Sequence, residues 1–257
     1  MNPSALLGYT GFVGSNLILQ HHFDEVFNSS NIDDIADKSY ELVVCAAARA
    51  EKWRANREPN EDLDNIKTLM GNLRKIKTTE FILISTVDVY PNPIEVYEDT
   101  KVAIDQASPY GKHRFILEEF VRTSFEKHLI IRLPGLIGKG LKKNFIYDML
   151  HKQEVLHLTH VDSHYQFYSL EYLWSDIEIA RLKHLNTINF ATPPLSIDTI
   201  ALNGFGRKWD SSSTTAPVQY DMRTRYANIF GATGNYMCSE EREIQMIQAF
   251  IEKERES

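Results

Sequence analysis

An α/β fold built on a parallel sheet is the class this sequence predicts, and three observations predict it. Apolar runs of strand length, "SALLG", "EVFN", "ELVVCAA", "EFILISTV" and "LIIRLP", recur through the first half of the chain. Helical patterns separate them at "FVGSNLILQHH", "NIKTLMGNLRKI" and "YGKHRFILEEFVRTSF", and strands that alternate with helices read as βαβ units. The runs "LVVCAA" and "FILIS" are continuously apolar rather than alternating, as strands covered on both faces are.

The first strand leads into "GYTGFVGSN", with glycines at 8, 11 and 14. A strand, a glycine turn and a helix in that order bring backbone close to a phosphate. Gly8 and Gly11 would admit it, the amides of Phe12 and Val13 would face it, and Gly14 would let helix and strand pack closely. The spacing is GxxGxxG, and a tight turn needing positive φ would use glycine equally well. The second strand ends on Asn28, then Ser29 and Ser30, about twenty residues past Gly8, where a carboxylate would hold an adenosine 2′-hydroxyl. With no carboxylate there to repel a 2′-phosphate, NADP is slightly favoured over NAD, and Arg49 or Lys52, after the third strand, could supply the matching charge. Cys45, inside that third strand, reads as a small core residue rather than a nucleophile.

The fourth strand runs into "ISTVDVYP", which puts Thr86 and Asp88 at its carboxyl end, the end that faces ligand in an open α/β sheet. A hydroxyl there can donate to a substrate carbonyl or alkoxide, or can simply bond its own turn. In the following helix, "SPYGKHRFILEE", Ser108 is a cap and Pro109 a first-turn residue, so Tyr110 and Arg114 fall four apart on one face. A tyrosine titrates near ~10 and needs a fixed cation beside it to work near neutrality. Arg114 could be that cation, or the pair could be a half-buried tyrosine with an exposed basic neighbour.

After about residue 140 the pattern loosens. A hairpin is expected across "VLHLTHVDSHYQFYSL", then a strand at "TINFAT", a polar loop "KWDSSSTTAP" and a last helix "EEREIQMIQAFIEK". His157, His160, Asp162 and His164 crowd that hairpin, but a turn at "VDS" separates them across two strands, so exposed or substrate-facing histidines are expected and no metal site. Arg207, Lys208, Arg223 and Arg225 could meet a pyrophosphate, although a solvated face is the expected role of most.

Composition narrows the partners. The 257 residues carry a formal charge of −7 and are 43% hydrophobic, which supplies a core but no cationic face for nucleic acid or an anionic membrane. Cys45 and Cys238 lie far apart with no CxxC spacing, so neither a disulfide nor zinc is expected, and a reducing cytoplasm is. The start "MNPSALLGYTG" has no basic region or long apolar segment, and no run of about eighteen apolar residues occurs, which predicts neither secretion nor a membrane span.

Together, "GYTGFVG", "VVCAAA", "NIKTLMGNL", "STVDVY", "SPYGKHR" and "IIRLPGLIGKG", with "YDMRTRYANIFG" further on, resemble in order the motifs of the extended short-chain dehydrogenase/reductase family, the NAD-dependent epimerase/dehydratase group that acts mainly on nucleotide sugars. "AAARAEKWRANREP" is closer to reductases of the dehydrorhamnose type. The resemblance implies a Rossmann-type dinucleotide-binding domain over 1–140 and a small α/β substrate lobe over 141–257, partly threaded back through a strand near 187–192. It implies Tyr110 as acid/base, Thr86 polarising the substrate oxygen, and Asp88 where dehydratases put a catalytic acid. The cofactor, NADP or NAD, would lie against Gly8, Gly11, Phe12, Val13, Gly14, Asn28, Ser29, Ser30, Ala46, Ala47, Tyr110, Arg114 and Leu133. The substrate would be a nucleotide-linked sugar, and a homodimer through two helices is expected. One departure stands out: the family's YxxxK has Arg114 at its last position, while Lys112 points elsewhere on the helix. Arginine keeps the charge and can donate to ribose hydroxyls but cannot pass on a proton. A protein of the same fold that binds NAD(P) as a regulator or scaffold is therefore the alternative to an oxidoreductase, epimerase or dehydratase. A methyltransferase would share the glycine turn but give no role to Tyr110.

Overall fold

The computed structural model describes residues 3–210 and 213–256. Strands β1 (Ser4–Leu7), β2 (Glu25–Phe27), β3 (Ser39–Cys45), β4 (Lys77–Thr86), β5 (Ile94–Val96) and β6 (His128–Leu133) lie in the first half. Further along are β7 (Gly135–Ile137), β8 (His164–Tyr165), β9 (Phe167–Ser169), β10 (Thr187–Asn189), β11 (Leu195–Ser196) and β12 (Asp221–Met222). The helices are α1 (Phe12–Ile18), α2 (Lys52–Arg57), α3 (Pro59–Leu73), α4 (Pro109–Ser124), α5 (Phe145–Leu150), α6 (Leu173–Leu182), α7 (Ile197–Phe205) and α8 (Glu240–Glu256). Two compact units result: Met1–Asn92, Asp99–Leu133 and Leu173–Ile188 form one, and Pro93–Glu98, Pro134–Tyr172 and Asn189–Ser257 the other.

A six-stranded Rossmann-type sheet in the order β10-β6-β4-β3-β1-β2 frames the first unit. β1 pairs in parallel with β2 and β3, β3 with β4, and β4 with β6. The order reverses at β1, whose neighbours are β2 on one side and β3 on the other, so a crevice opens at the carboxyl ends of β1 and β3. The strands are continuously apolar because both faces are covered. On one face Leu7, Val43, Cys45, Phe81, Leu83 and Ile130 pack with Ile66, Leu69 and Leu73 of α3 and Leu117, Phe120 and Val121 of α4. These helical residues recur three and four apart, which is the stripe an amphipathic helix turns inward. A short helix, α2, precedes α3 in a stretch for which no element is expected from the sequence. Pro59 divides the two, since a proline cannot continue α2 but suits the first turn of α3.

Buried charge ties this sheet to α4. Arg132 on β6 is 2% exposed and Glu118 on α4 is fully buried. Arg132 Nε and Nη2 donate to the two Glu118 oxygens at 3.0 and 2.6 Å, and Nη1 donates to the Tyr90 hydroxyl at 2.5 Å. Ser85 Oγ donates to Glu118 at 2.6 Å, so β4, β6 and α4 meet at one carboxylate.

In the second unit β7 pairs in parallel with β9, β8 antiparallel with β11, and β12 in parallel with β5. The expected hairpin is therefore corrected: residues 154–158 form a 3-10 turn, and β8 and β9 run on from each other to different partners. The cause is Gln166 between them, 1% exposed. Its side-chain amide donates to the carbonyls of Thr192 and Met222, and its oxygen accepts the Met222 N–H at 2.8 Å. A buried glutamine satisfied by two distant segments fixes the chain as extended where a hairpin would need a turn. Within the polar loop, residues 211 and 212 lie outside the described residues. Ser213 and Thr215 donate to the Leu158 carbonyl at 2.9 and 2.8 Å. Among the described residues no helix is long and apolar enough to cross a membrane.

Candidate active site

The register of the first sheet brings the candidate residues to one edge. Leu7 stands opposite Cys45, Cys45 opposite Leu83, and Thr86 opposite Leu133. The glycine turn, Ala46, Ala47, Thr86 and Leu133 therefore all sit at the carboxyl ends of parallel strands, the ligand-facing edge of such a sheet.

Each glycine of the turn has a different reason to be one. Gly8 has φ +85°, and a Cβ on it would lie 2.5 Å from the Ala46 carbonyl oxygen. Gly14 carries α1 against the turn, where a Cβ would overlap the Gly8 carbonyl. Gly11 is different: its φ is −77°, open to any residue, and a Cβ there would meet only the Gly8 oxygen, at 3.3 Å. It caps α1 without a side chain, so the N–H groups of Phe12 and Val13 open the helix with no partner inside it.

After β2, the Asn28 oxygen accepts from Ser30 N and Oγ at 2.8 and 2.6 Å, its amide donates to the Tyr9 hydroxyl at 3.3 Å, and Asn31 accepts the Asn28 N–H at 2.7 Å. This is an ordered polar turn without a carboxylate. Arg49 faces Glu61 at 3.8 Å, and Lys52 faces Asp88 at 2.6 Å, so each expected partner for a 2′-phosphate already has an acid beside it.

Thr86 ends β4 with extended backbone and caps the 3-10 turn Val87–Val89, its Oγ1 accepting the Asp88 N–H at 3.2 Å. α4 starts directly upon this turn. Ser108 accepts the Gly111 N–H at 3.3 Å, Pro109 fills the first turn, and a Cβ on Gly111 would overlap the Asp88 carbonyl. The Tyr110 N–H donates to Asn56 Oδ1 on α2 at 3.0 Å. Tyr110 is 7% exposed. Burial pushes the phenol above its usual range; Arg114 opposes that rise, Asp88 adds to it, and Lys52 and Thr86 oppose it.

Arg114 is not the exposed neighbour of a half-buried tyrosine. It is 4% exposed, and its guanidinium carbon lies 4.2 Å from the centre of the Tyr110 ring. Nη1 donates to Asp62 Oδ2 at 2.5 Å, Nη2 donates to the Arg49 carbonyl, and Nε is buried without a partner. His113 Nδ1 lies 2.7 Å from the same Asp62 oxygen. Burial works against the Asp62 anion, but hydrogen bonds from Arg114 and His113 outweigh it and hold the carboxyl below its usual range. The cation thus sits over the ring face, its charge answered by an aspartate.

The other candidates are engaged elsewhere. Arg223 bonds Asp221 and Glu95, Arg225 lies 3.8 Å over the Tyr97 ring, and Arg207 donates to Met149 Sδ at 3.0 Å. Burial pushes the Cys45 thiol up to about 11, in keeping with a core residue. Sequence reasoning missed Asp62 and Asn56. For Asp62 a signal existed: Asp62, Ile66, Leu69 and Leu73 share one stripe of α3, and a carboxylate on an apolar stripe needs a buried partner.

The family model described as "NAD dependent epimerase/dehydratase family" matches residues 20–169, which is more than half of the chain and includes Thr86, Asp88 and Tyr110. The chain belongs to this family. The match begins after the glycine turn, so that turn rests on its own geometry. No curated protein matches the chain. Among solved structures, a dTDP-4-dehydrorhamnose reductase from Bacillus anthracis in complex with NADP is 17% identical, with a TM-score of 0.72 over 98% of this chain and 99% of that one. A UDP-glucose 4-epimerase from Thermotoga maritima with UDP-glucose is 16% identical, with a TM-score of 0.70 over 98% and 99%. A UDP-N-acetylglucosamine 4-epimerase from Methanobrevibacter ruminantium is 14% identical, with a TM-score of 0.74 over 99% and 98%. At these identities the likeness is one of fold, and it extends over both units of this epimerase/dehydratase-family chain.

Proposed function

We propose that this epimerase/dehydratase-family protein is an NADP- or NAD-dependent oxidoreductase that reduces a keto group on a nucleotide-linked sugar. The observation that carries the reading is that α4 starts directly against the turn that Thr86 caps, which puts Tyr110 and Thr86 at the same end of the sheet as the glycine turn. The family and the nucleotide-sugar enzymes among its structural neighbours support the substrate class. The residues fit a dinucleotide. A Cβ on Gly11 would press only on the Gly8 carbonyl oxygen, at 3.3 Å, far less than at Gly8 or Gly14, so its missing side chain also leaves room for a group from outside, beside the amides of Phe12 and Val13. The buried, unpartnered Nε of Arg114 is a donor of the kind ribose hydroxyls accept from. Asn28, Ser29 and Ser30, directly after β2, present no carboxylate to turn away a 2′-phosphate.

When bound, such a cofactor supplies the hydride. Tyr110 begins neutral, because burial raises its pKa, and a neutral phenol gives its proton to the alkoxide that forms as a carbonyl is reduced. Thr86 donates to the same oxygen and stabilises its growing charge. Reduction is the direction that uses the phenol in its neutral form, and it is the direction we propose. The test is consumption of reduced nicotinamide by the purified chain against a panel of nucleotide-linked keto sugars. Cofactor binding without consumption across the panel would overturn this reading in favour of a dinucleotide-binding regulator, the role that Arg114's engagement with Asp62 would suit.

Two glycine variants check the cofactor side. Gly14→Ala should lower the melting midpoint, because its Cβ meets backbone that cannot step aside. Gly11→Ala should lower that midpoint much less than Gly14→Ala and weaken dinucleotide binding by about tenfold, ~1.4 kcal/mol, in calorimetric titration. Equal affinity in Gly11→Ala and parent would refute the turn as a phosphate site.

A further inference from the structure

This inference rests on the reading of Tyr110 as the group that gives a proton to the substrate oxygen. In the YxxxK arrangement a single lysine brings charge to the tyrosine from one turn further along the same helix. Here that position carries a guanidinium stacked on the ring face and fastened by Asp62 and by the Arg49 carbonyl. Its charge is fixed in place and balanced.

A second cation reaches the site from another element. Lys52 and Asn56 are four residues apart on α2 and so share a face. Asn56 Oδ1 accepts the N–H of Tyr110 at 3.0 Å, while Lys52 Nζ lies 2.6 Å from Asp88 Oδ1. Asp88 lies in the turn capped by Thr86, and its carbonyl supports the Gly111 backbone beside Tyr110. One turn of α2 therefore bonds both the start of α4 and the carboxylate of the turn on which α4 starts. Exposure falls along the set, from 46% for the Lys52 side chain to 18% for Asp88 and 7% for Tyr110.

We propose that Lys52 is a positioning residue for Tyr110: it pins and neutralises the Asp88 carboxylate, so that an acid can stand in this site without opposing the tyrosinate. Charge alone gives the sense of each effect. The Asp88 anion disfavours the Tyr110 anion, and Lys52 favours it. The groups that act on the phenol are Arg114 from α4, Asp88 and Thr86 from the end of β4 and its turn, and Lys52 from α2; Asp62 and His113 act behind Arg114. Of the two cations, Arg114 has the larger effect, but it cannot be exchanged without exposing a buried aspartate. Lys52 can.

The test is a titration of the full chain carrying 3,5-difluorotyrosine in place of Tyr110, followed by fluorine NMR. The fluorines bring ionisation of the phenol toward the neutral range. Lys52→Met should raise the midpoint by about one pH unit, and Lys52→Arg should restore it. Asp88→Asn should lower the midpoint, and Lys52→Met with Asp88→Asn should return it to the parent value within a few tenths of a pH unit. A merely structural Lys52 would not give opposite signs that cancel. An unmoved midpoint in Lys52→Met, or shifts of the same sign in the two single variants, would overturn the proposal. Circular dichroism verifies that each chain is folded, which the exposure of Lys52 favours. Turnover plays no part in this readout. A chain that titrates as described yet reduces no sugar would leave this inference standing and sink the functional reading instead.

Discussion

Glu118→Ala is expected to destabilise the first unit by about 3–5 kcal/mol, because it leaves the Arg132 guanidinium buried and charged with no counter-ion. The carboxylate joins three elements, so its loss also frees the Ser85 hydroxyl and one of the contacts of Arg122. For a chain of this size a loss of that order lowers a melting midpoint by roughly 6–20 °C. The expected signature is not additivity. Glu118→Leu with Arg132→Met removes both charges, and a hydrophobic pair of similar volume should recover much of the loss, since the cost of a broken buried pair lies in the orphaned charge. A double variant as unstable as the sum of the two singles would show that packing around the pair, rather than its charge, carries the effect. The same logic applies more mildly at Asp62, where Arg114 keeps the Arg49 carbonyl as a second acceptor.

These ion pairs also mark where the sequence stops being legible. The strands of the first unit were readable because burial on both faces makes them continuously apolar, and "FILIS" and "LVVC" admit little else. α4 was readable from Ser108 and Pro109, which act locally and whose cap forms as expected. The glycine turn was readable as a turn, but the separate duties of its three glycines were not, because the Ala46 carbonyl that excludes a side chain from Gly8 comes from a strand nearly forty residues away. Arg114 shows the limit most plainly. Helical spacing correctly put it on the face of Tyr110, yet whether it points at the hydroxyl or lies over the ring is decided by Asp62, on another helix. The misplaced hairpin has the same origin. "HLTHVDSHYQ" has turn residues in its middle, and only the distant acceptors of Gln166 reveal that the chain there continues extended. Local chemistry writes helices, caps and buried strands into a sequence; the partners of buried polar groups are written by topology.

Tyr110→Phe is expected to lower turnover on an identified substrate by about 10²–10⁴-fold, equivalent to roughly 3–5 kcal/mol in the barrier. The variant isolates the proton from everything else the residue does. Phenylalanine keeps the ring, so the packing under the Arg114 guanidinium at 4.2 Å and the backbone bond to Asn56 are retained, and the melting midpoint should scarcely move. Dinucleotide affinity should change far less than turnover, because the glycine turn is untouched and the ring is kept. What disappears is the donor that completes the alkoxide, and Thr86 alone then faces the reacting oxygen. The pH profile supplies a second check. Burial raises the phenol's pKa, so the acid form persists through neutrality, and the reducing rate of the parent should not fall on the alkaline side until that raised pKa is approached. An oxidising enzyme using Tyr110 as a base would behave in the opposite way, gaining rate as pH rises through the same ionisation. Full turnover in Tyr110→Phe would remove the phenol from the mechanism and return the chemistry to Thr86 and Asp88, the two other polar groups at this end of β4.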